Sequence, residues 1–79
     1  MRLDKYLKVS RLIKRRTVAN EACDAGLVSV NGRVARASLE IKPGDVIELT
    51  LGSRNTKVEV VSVAENARKD DAPAMYKEI

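Results

Sequence analysis

The sequence predicts a single α+β domain, with two or three short helices packed on a small, twisted, mainly antiparallel sheet. Apolar residues recur at helical spacing in the first third of the chain, which ends at Gly26. After Gly26, short β-prone runs alternate with turn signals, of which Asn31-Gly32 and the turn at residues 42–45 are the clearest. A chain of 79 residues is too short for a second domain with its own core.

The first helix is predicted over residues 2–9. Leu3, Tyr6 and Leu7 are spaced i, i+3 and i+4 and therefore share one face of a helix. A helix this short is marginal on its own, so packing of that face against the rest of the domain has to hold it.

A second helix is predicted over residues 15–25, because small residues recur there at helical spacing and a glycine follows. Gly26 stands where helices commonly end in the left-handed conformation, which glycine adopts without strain. The side chains expected on the inner face of this helix are those of Val18, Ala19, Ala22, Cys23 and Ala25.

Two hairpins are expected to build the sheet. The predicted strands are, in chain order, residues 27–30, 33–35, 46–51 and 57–63. Asn31-Gly32 is the sequence signal of a type I′ turn between the first two strands. Residues 52–56 are expected to be a polar loop, and the adjacent Val60 and Val61 break the alternation of the last strand and indicate a bulge.

The end of the chain changes in composition. We assign residues 1–64 to the folded domain and residues 65–79 to a polar C-terminal extension. A docked helical turn, held by Met75, Tyr76 and Ile79, is one structure open to the last six residues.

Positive charge is concentrated in the first sixteen residues. Seven of them are Lys or Arg and only Asp4 is acidic, which gives this segment a net charge of +6, whereas the whole chain carries +4. Such a cationic surface predicts a polyanionic partner, of which nucleic acid is the usual one. The alternative is that these cations only solvate the outer faces of two helices.

The composition argues against several classes of function. The chain contains no His, so it cannot carry a Ser-His-Asp or Cys-His catalytic arrangement, and Cys23 has no second Cys with which to bind zinc. Cys23 is expected to be a small buried residue, as cysteines in a reducing compartment commonly are. Phe and Trp are absent, which disfavours binding of RNA by aromatic stacking. We expect a cytoplasmic protein that is not an enzyme, needs no metal or cofactor, and has no membrane partner.

Four short motifs resemble the S-four RNA-binding domain, also called the αL motif, and together they cover nearly the whole chain. They are R-L-D-K-x-L at residues 2–7, R-x-x-A at 16–19, G-x-V-x-V-N-G at 26–32 and G-D at 44–45. Each motif is weak alone, but all four in this order and at this spacing are specific. The resemblance implies that residues 1–64 are an RNA-binding αL-motif domain whose helices face the RNA.

On this basis Arg2 and Arg16 match basic positions of the family. The other expected RNA contacts are Lys5, Lys8, Arg11, Lys14, Arg15, Asn20 and Arg33, with Arg36 as a secondary contact beside Arg33. Asn20 is equally consistent with an ordinary helix surface. Asp4 is open between two structural roles, capping the first helix or orienting a neighbouring arginine.

Within the family, residues 8–16 (K-V-S-R-L-I-K-R-R) and the A-M-Y near the end resemble RqcP, a family of bacterial ribosome-associated quality-control factors related to the ribosome-binding small heat-shock protein. The resemblance implies a non-catalytic factor that binds the large ribosomal subunit, through ribosomal RNA and P-site peptidyl-tRNA. It implies a further partner, the NEMF-type tailing factor RqcH, and a role in adding C-terminal alanine tails to stalled nascent chains. The free protein is expected to be a monomer.

Three other functions stay open. The first is the recycling of aborted large subunits that carry peptidyl-tRNA, which would use the same fold and the same basic face. The second is a helix-turn-helix DNA-binding regulator, although the second helix offers few side chains that could read bases. The third is a protein-interaction module on which the basic patch is incidental.

Overall fold

A computed structural model of the chain describes residues 1–63 and 75–79. The elements are, in order, α1 (Leu3–Val9), α2 (Arg16–Asp24), β1 (Val28–Val30), β2 (Arg33–Val34), β3 (Val46–Leu51), β4 (Arg54–Val60) and β5 (Tyr76–Glu78). The five strands form one antiparallel sheet in the order β2-β1-β3-β4-β5. The predicted α+β class is therefore confirmed, while most of the polar extension lies outside the described residues.

The two helices pack together through the faces that their apolar spacing predicts, with two exceptions. Leu3, Tyr6 and Leu7 of α1 are fully buried. The buried side chains of α2 are Ala19, Ala22 and Cys23, whereas Val18 and Ala25, which were expected on the inner face, are exposed. Both lie about a quarter turn or more from the centre of the buried stripe, and the seven-residue α1 covers only that stripe.

The end of α2 has the geometry predicted for it. Gly26 has a φ of +76°, and its N–H donates to the carbonyl oxygen of Cys23 at 3.0 Å. The N–H of Leu27 donates to the carbonyl oxygen of Ala22 at 2.9 Å, which completes a Schellman motif. This motif directs the chain from the helix into β1.

The first hairpin is confirmed with the turn that its sequence indicates. Asn31 and Gly32 both have positive φ, +54° and +84°, as a type I′ turn requires. The Asn31 side chain also connects this turn to the start of β3, because its Nδ2 donates to Asp45 and its Oδ1 accepts from the N–H of Val46. These two bonds fix the first hairpin relative to the start of β3.

The second hairpin has a shorter turn than predicted, and its second strand is shifted: β4 spans Arg54–Val60 where residues 57–63 were expected, so the strand predicted at residues 61–63 is wrong. Residues 52–56 were expected to be a loop, but β4 begins at Arg54 and Leu51 pairs with it, so only Gly52 and Ser53 form the turn. Near the tip Thr50, Arg54 and Asn55 are polar and exposed, whereas Leu51 packs against the core. The bulge expected near Val61 is present in its hydrogen bonds: the N–H groups of Val61 and Ser62 both donate to the carbonyl oxygen of Met75.

The described C-terminal residues form a strand, so the helical turn considered for them is wrong. Residues 76–78 pair with β4, placing Tyr76 opposite Val60 and Glu78 opposite Val58. The free edge of β4 needs hydrogen-bond partners, and an extended segment supplies them where a helical turn cannot. Met75 is buried and Tyr76 half-buried, as docking requires, whereas Ile79 is exposed.

Tyr6 joins α1 to this C-terminal strand. Its hydroxyl donates to the carbonyl oxygen of Met75 at 2.7 Å in the buried interior. Burial, and to a smaller extent the nearby Tyr76, raises the pKa of Tyr6, so the hydroxyl stays a protonated donor. The bond fixes the helix that carries Asp4 to a segment 69 residues further along the chain.

We predict that Tyr6→Phe lowers the free energy of unfolding by about 0.5–1.5 kcal/mol, because one buried hydrogen bond is lost while the carbonyl of Met75 keeps its bonds from the N–H groups of Val61 and Ser62. Urea denaturation followed by circular dichroism measures this change. Tyr76→Phe is the matched control, since the Tyr76 hydroxyl has no partner among the described residues, and it should change stability by less than about 0.5 kcal/mol. Equal losses in the two variants would contradict a specific role for the Tyr6 hydroxyl.

Candidate nucleic-acid interface

The site is built around the carboxylate of Asp4, in the first turn of α1. Asp4 is 2% exposed, and two arginines approach it from solvent. Arg2 places its Nε 3.3 Å from Oδ1 and its Nη2 3.4 Å from Oδ2. Arg16 at the start of α2 contacts the same two oxygens in the opposite sense, with its Nε 3.3 Å from Oδ2 and its Nη2 3.4 Å from Oδ1.

Two further donors complete the surroundings of this carboxylate. The side-chain Nδ2 of Asn20 lies 3.2 Å from Oδ2, and the backbone N–H of Lys5 donates to Oδ1 at 2.8 Å. Asn20 follows Arg16 by one helical turn, so both side chains leave α2 on the same face. We call Asp4, Arg2, Arg16 and Asn20 the Asp4 cluster.

The alternative roles of Asp4 are resolved by the backbone at the start of α1. The N–H groups of Leu3 and Asp4 donate to the carbonyl oxygens of Leu39 and Ala37, at 2.8 and 3.1 Å. These bonds satisfy N–H groups that a capping side chain otherwise serves, and no side chain caps the helix at Arg2. The carboxylate of Asp4 thus takes one free N–H of the first turn, that of Lys5, and also orients the two arginines.

Asp4 stays ionised in this setting. Burial alone raises the pKa of its carboxyl, but the hydrogen bonds from Arg16 and from the Lys5 N–H, with the charges of Arg16 and Arg2, outweigh burial and leave the pKa below its ordinary value. Because the folded pKa is lowered, the stability that the ionised carboxylate contributes is complete above the pKa of an unfolded aspartate. It is lost as the pH falls through the lower pKa of the folded state.

Both arginines of the cluster keep N–H donors that do not contact Asp4. Their side chains are 49% (Arg2) and 47% (Arg16) exposed, while Asp4 occupies two of the five N–H donors of each guanidinium. The other donors face solvent in fixed positions. Such preoriented guanidinium groups suit the oxygens of phosphate, which they can bind in pairs.

The remaining cations predicted from the first sixteen residues lie around the helix pair. Lys8, Arg11, Lys14 and Arg15 are exposed on α1, on the connecting segment and just before α2, while Lys5 is half-buried. Arg11 has a φ of +65°, a strained conformation for arginine, and the buried Ile13 anchors the segment behind it. A basic rim thus continues from the Asp4 cluster around the end of the helix pair.

Arg33 was predicted with these residues, but it does not join the cluster. It lies on β2, where it lines a cleft of about 760 Å³ together with Arg36 and Lys42. Arg36, expected from the sequence as a secondary contact, also lines a second cleft, which includes Arg2. The sequence spacing of Arg2 and Arg36 does not indicate that they are neighbours. They reach one cleft because residues 35–41 fold against α1.

Metal-binding clusters, a reactive thiol and a membrane span are features to consider in the described residues. They contain no group of three or more His, Cys, Asp or Glu that could hold a metal ion. Cys23 is buried, and this burial, followed by the charges of Asp4 and Asp24, raises the pKa of its thiol to about 11. A thiol in that state is a poor nucleophile near neutral pH. In the part of the chain that the structure describes, no helix has both the length and the hydropathy of a membrane span.

Comparisons with known proteins agree with this geometry. Residues 1–47 match the family described as the S4 domain. The chain is 50% identical over 76 residues to the RQC P-site tRNA stabilizing factor of Halalkalibacterium halodurans, covering 96% of this chain and 86% of the relative. The protein of the same name from Bacillus subtilis is 49% identical over 76 residues, covering 96% of this chain and 88% of the relative.

A solved structure supports the same assignment. Heat shock protein 15 of Vibrio cholerae, whose structure is described as trimeric, superposes with a TM-score of 0.93 at 29% identity, covering all of this chain and 81% of the other. The family match covers α1, α2, β1 and β2, the elements that carry or adjoin the Asp4 cluster. The resemblance seen in the four motifs is thereby confirmed. The chain belongs to the S4 domain family and, within it, to the family of the RQC P-site tRNA stabilizing factors.

Proposed function

We propose that this chain is a non-catalytic factor of ribosome-associated quality control, which binds the large ribosomal subunit through ribosomal RNA and P-site peptidyl-tRNA. The observation that carries the proposal is the Asp4 cluster. It fixes two half-exposed arginines beside a basic rim, in a chain about 50% identical to proteins named for stabilising P-site tRNA. Contacts of this kind recognise phosphates and the shape of folded RNA.

In the proposed mechanism the factor raises the population of large subunits that hold tRNA in the P site. A factor that binds the subunit more tightly when tRNA occupies the P site stabilises that state by its difference in affinity, with no covalent step. In this proposal the free chain is a monomer in the cytoplasm, and the held tRNA allows the NEMF-type factor RqcH to add C-terminal alanine tails. Every residue of the Asp4 cluster and its rim acts by binding.

Recycling of aborted large subunits is the second candidate. It would use the same fold, which the chain shares over its whole length with heat shock protein 15. The two candidates predict the same binding surface and differ in the product. Alanine-tailed nascent chains should disappear when the gene is deleted if the factor assists tailing, and should persist if it recycles subunits.

We predict that Arg16→Ala reduces association with large subunits about tenfold, because one oriented guanidinium and its phosphate contact are lost. Tagged wild-type and variant proteins are compared by sucrose-gradient sedimentation from cells, with sequencing of the RNA that co-purifies. The variant keeps the bonds of Asp4 to Arg2, Asn20 and the Lys5 N–H, so it should fold.

The matched control is Arg54→Ala, which removes the same side chain from the exposed tip of the β3–β4 hairpin. It should sediment with large subunits as the wild type does. Wild-type protein that stays at the top of the gradient, or that co-purifies with DNA in place of ribosomal RNA, would contradict the proposal.

A further inference from the structure

A cleft of about 550 Å³ lies between α2 and the segment that follows β2. Arg2 and Asn20 line it and also belong to the Asp4 cluster, so the cleft opens directly beside the oriented arginines. Its volume falls within the range of about 300–1,000 Å³ that is typical of sites for small molecules. It is therefore large enough for a single nucleotide.

The cationic groups of this cleft suit a phosphate. The side chain of Arg36 is exposed and has no hydrogen-bond or ion-pair partner among the described residues. Arg2 keeps N–H donors that Asp4 does not occupy. Two guanidinium groups at one cleft give a phosphate more than one charged donor, which is the arrangement that holds it in position.

The lining also offers a surface for a base. Val34 is 67% exposed, unusual for a valine in a strand, whereas Ala35 and Ala37, which also line the cleft, are buried in the core. Small and aliphatic groups leave room for a flat ring to lie against them. The lining contains no aromatic residue, so the exposed aliphatic side chain of Val34 is the surface available to the base.

Asp24 gives the cleft a preference among bases. Its carboxylate accepts hydrogen bonds but donates none, and it has no partner among the described residues. Asn20 turns its amide nitrogen to Asp4, which accepts only, so the carbonyl oxygen of Asn20 is left as another acceptor. Guanine, adenine and cytosine carry exocyclic amino donors that match such acceptors, whereas uracil offers only its N3–H, which lies between two carbonyl oxygens that a carboxylate repels.

The position of Asp24 in α2 also favours a role in binding. It is the last residue of α2, and an acidic side chain at the C-terminal end of a helix opposes the helix dipole. Stability of the helix therefore does not explain an aspartate at this position. A contact between Asp24 and a ligand would explain it.

We propose that this cleft holds one unpaired nucleotide of the bound RNA, with its phosphate on Arg2 and Arg36 and its base edge on Asp24, and that it selects guanine, adenine or cytosine over uracil. This inference rests on the proposed binding of RNA and adds a base-reading site to it. An unpaired nucleotide is required because the base edges of an A-form helix cannot enter a cleft, whereas loop and bulge bases can.

The test is chemical footprinting of large ribosomal subunits that carry P-site tRNA, with and without the protein. Hydroxyl radicals report protection of the RNA backbone, while dimethyl sulfate, kethoxal and carbodiimide report protection of base edges. The wild-type chain should protect the Watson–Crick edge of one unpaired guanine, adenine or cytosine. In Asp24→Ala that base should regain at least about fivefold reactivity, while the backbone footprint persists or strengthens because a negative charge is removed.

Glu21→Ala is the matched control. Glu21 is exposed on the same helix and does not line the cleft, so its removal changes the charge equally and should leave the base protected. A backbone footprint without base protection, base protection that survives Asp24→Ala, or protection of a uracil at this site would each overturn the inference. Absence of any backbone footprint would overturn both the inference and the proposed binding of ribosomal RNA.

Discussion

Raising the salt concentration from 50 to 200 mM should weaken binding of the chain to large ribosomal subunits by roughly 250-fold. The expectation follows from the number of phosphates that the surface can neutralise. Arg2, Arg16 and the exposed cations around the helix pair provide about five such contacts, and each releases counterions from the RNA. The logarithm of the association constant should then fall with the logarithm of salt concentration at a slope of about −4.

Titrations of labelled protein with purified subunits at four or five salt concentrations measure this slope. Lys14→Gln, which removes an exposed charge near the start of α2, should make it shallower by about one. Lys57→Gln, which removes an exposed charge from β4, should leave the slope unchanged. A flat response, or equal effects of the two substitutions, would show that the basic rim is not the electrostatic contact surface.

Local sequence predicted the elements that carry the site, because their signals are short in range. The spacing of Leu3, Tyr6 and Leu7 defines α1, and Gly26 and Asn31-Gly32 set the two backbone reversals that lead from α2 through the first hairpin. Each of these features depends on residues within a few positions of one another. The same short-range information placed the cationic segment on the helix pair.

What could not be predicted depends on partners that are distant along the chain. The strand at residues 76–78 exists because β4 has a free edge, and nothing in its own composition distinguishes it from a helical turn. The arrangement around Asp4 needs α2 to pack on α1, which brings Asn20 from sixteen positions away. Asp4 did carry a usable signal, since a single acidic residue within a strongly cationic segment suggests a group that positions its neighbours.

Asp4→Asn should weaken binding to large subunits about 30-fold, although the substitution makes the chain more positive. The carboxylate holds Arg2, Arg16 and Asn20 in place. An amide cannot accept from all three, and each long side chain that must be ordered on binding costs about 0.5–1.5 kcal/mol. A total ordering cost near 2 kcal/mol corresponds to the expected loss of about 30-fold in affinity. Binding to subunits is measured beside urea denaturation, which establishes that the variant is folded under the assay conditions.

Glu21→Gln separates orientation from charge. It changes the net charge by the same amount, from an exposed position on α2 that has no contact with the Asp4 cluster. If attraction to phosphate alone governed affinity, both variants would bind more tightly than the wild type. If preorientation governs it, Glu21→Gln binds slightly more tightly and Asp4→Asn binds far less. Only the second result shows that Asp4, although its charge opposes binding of an anion, raises affinity by fixing the groups that bind it.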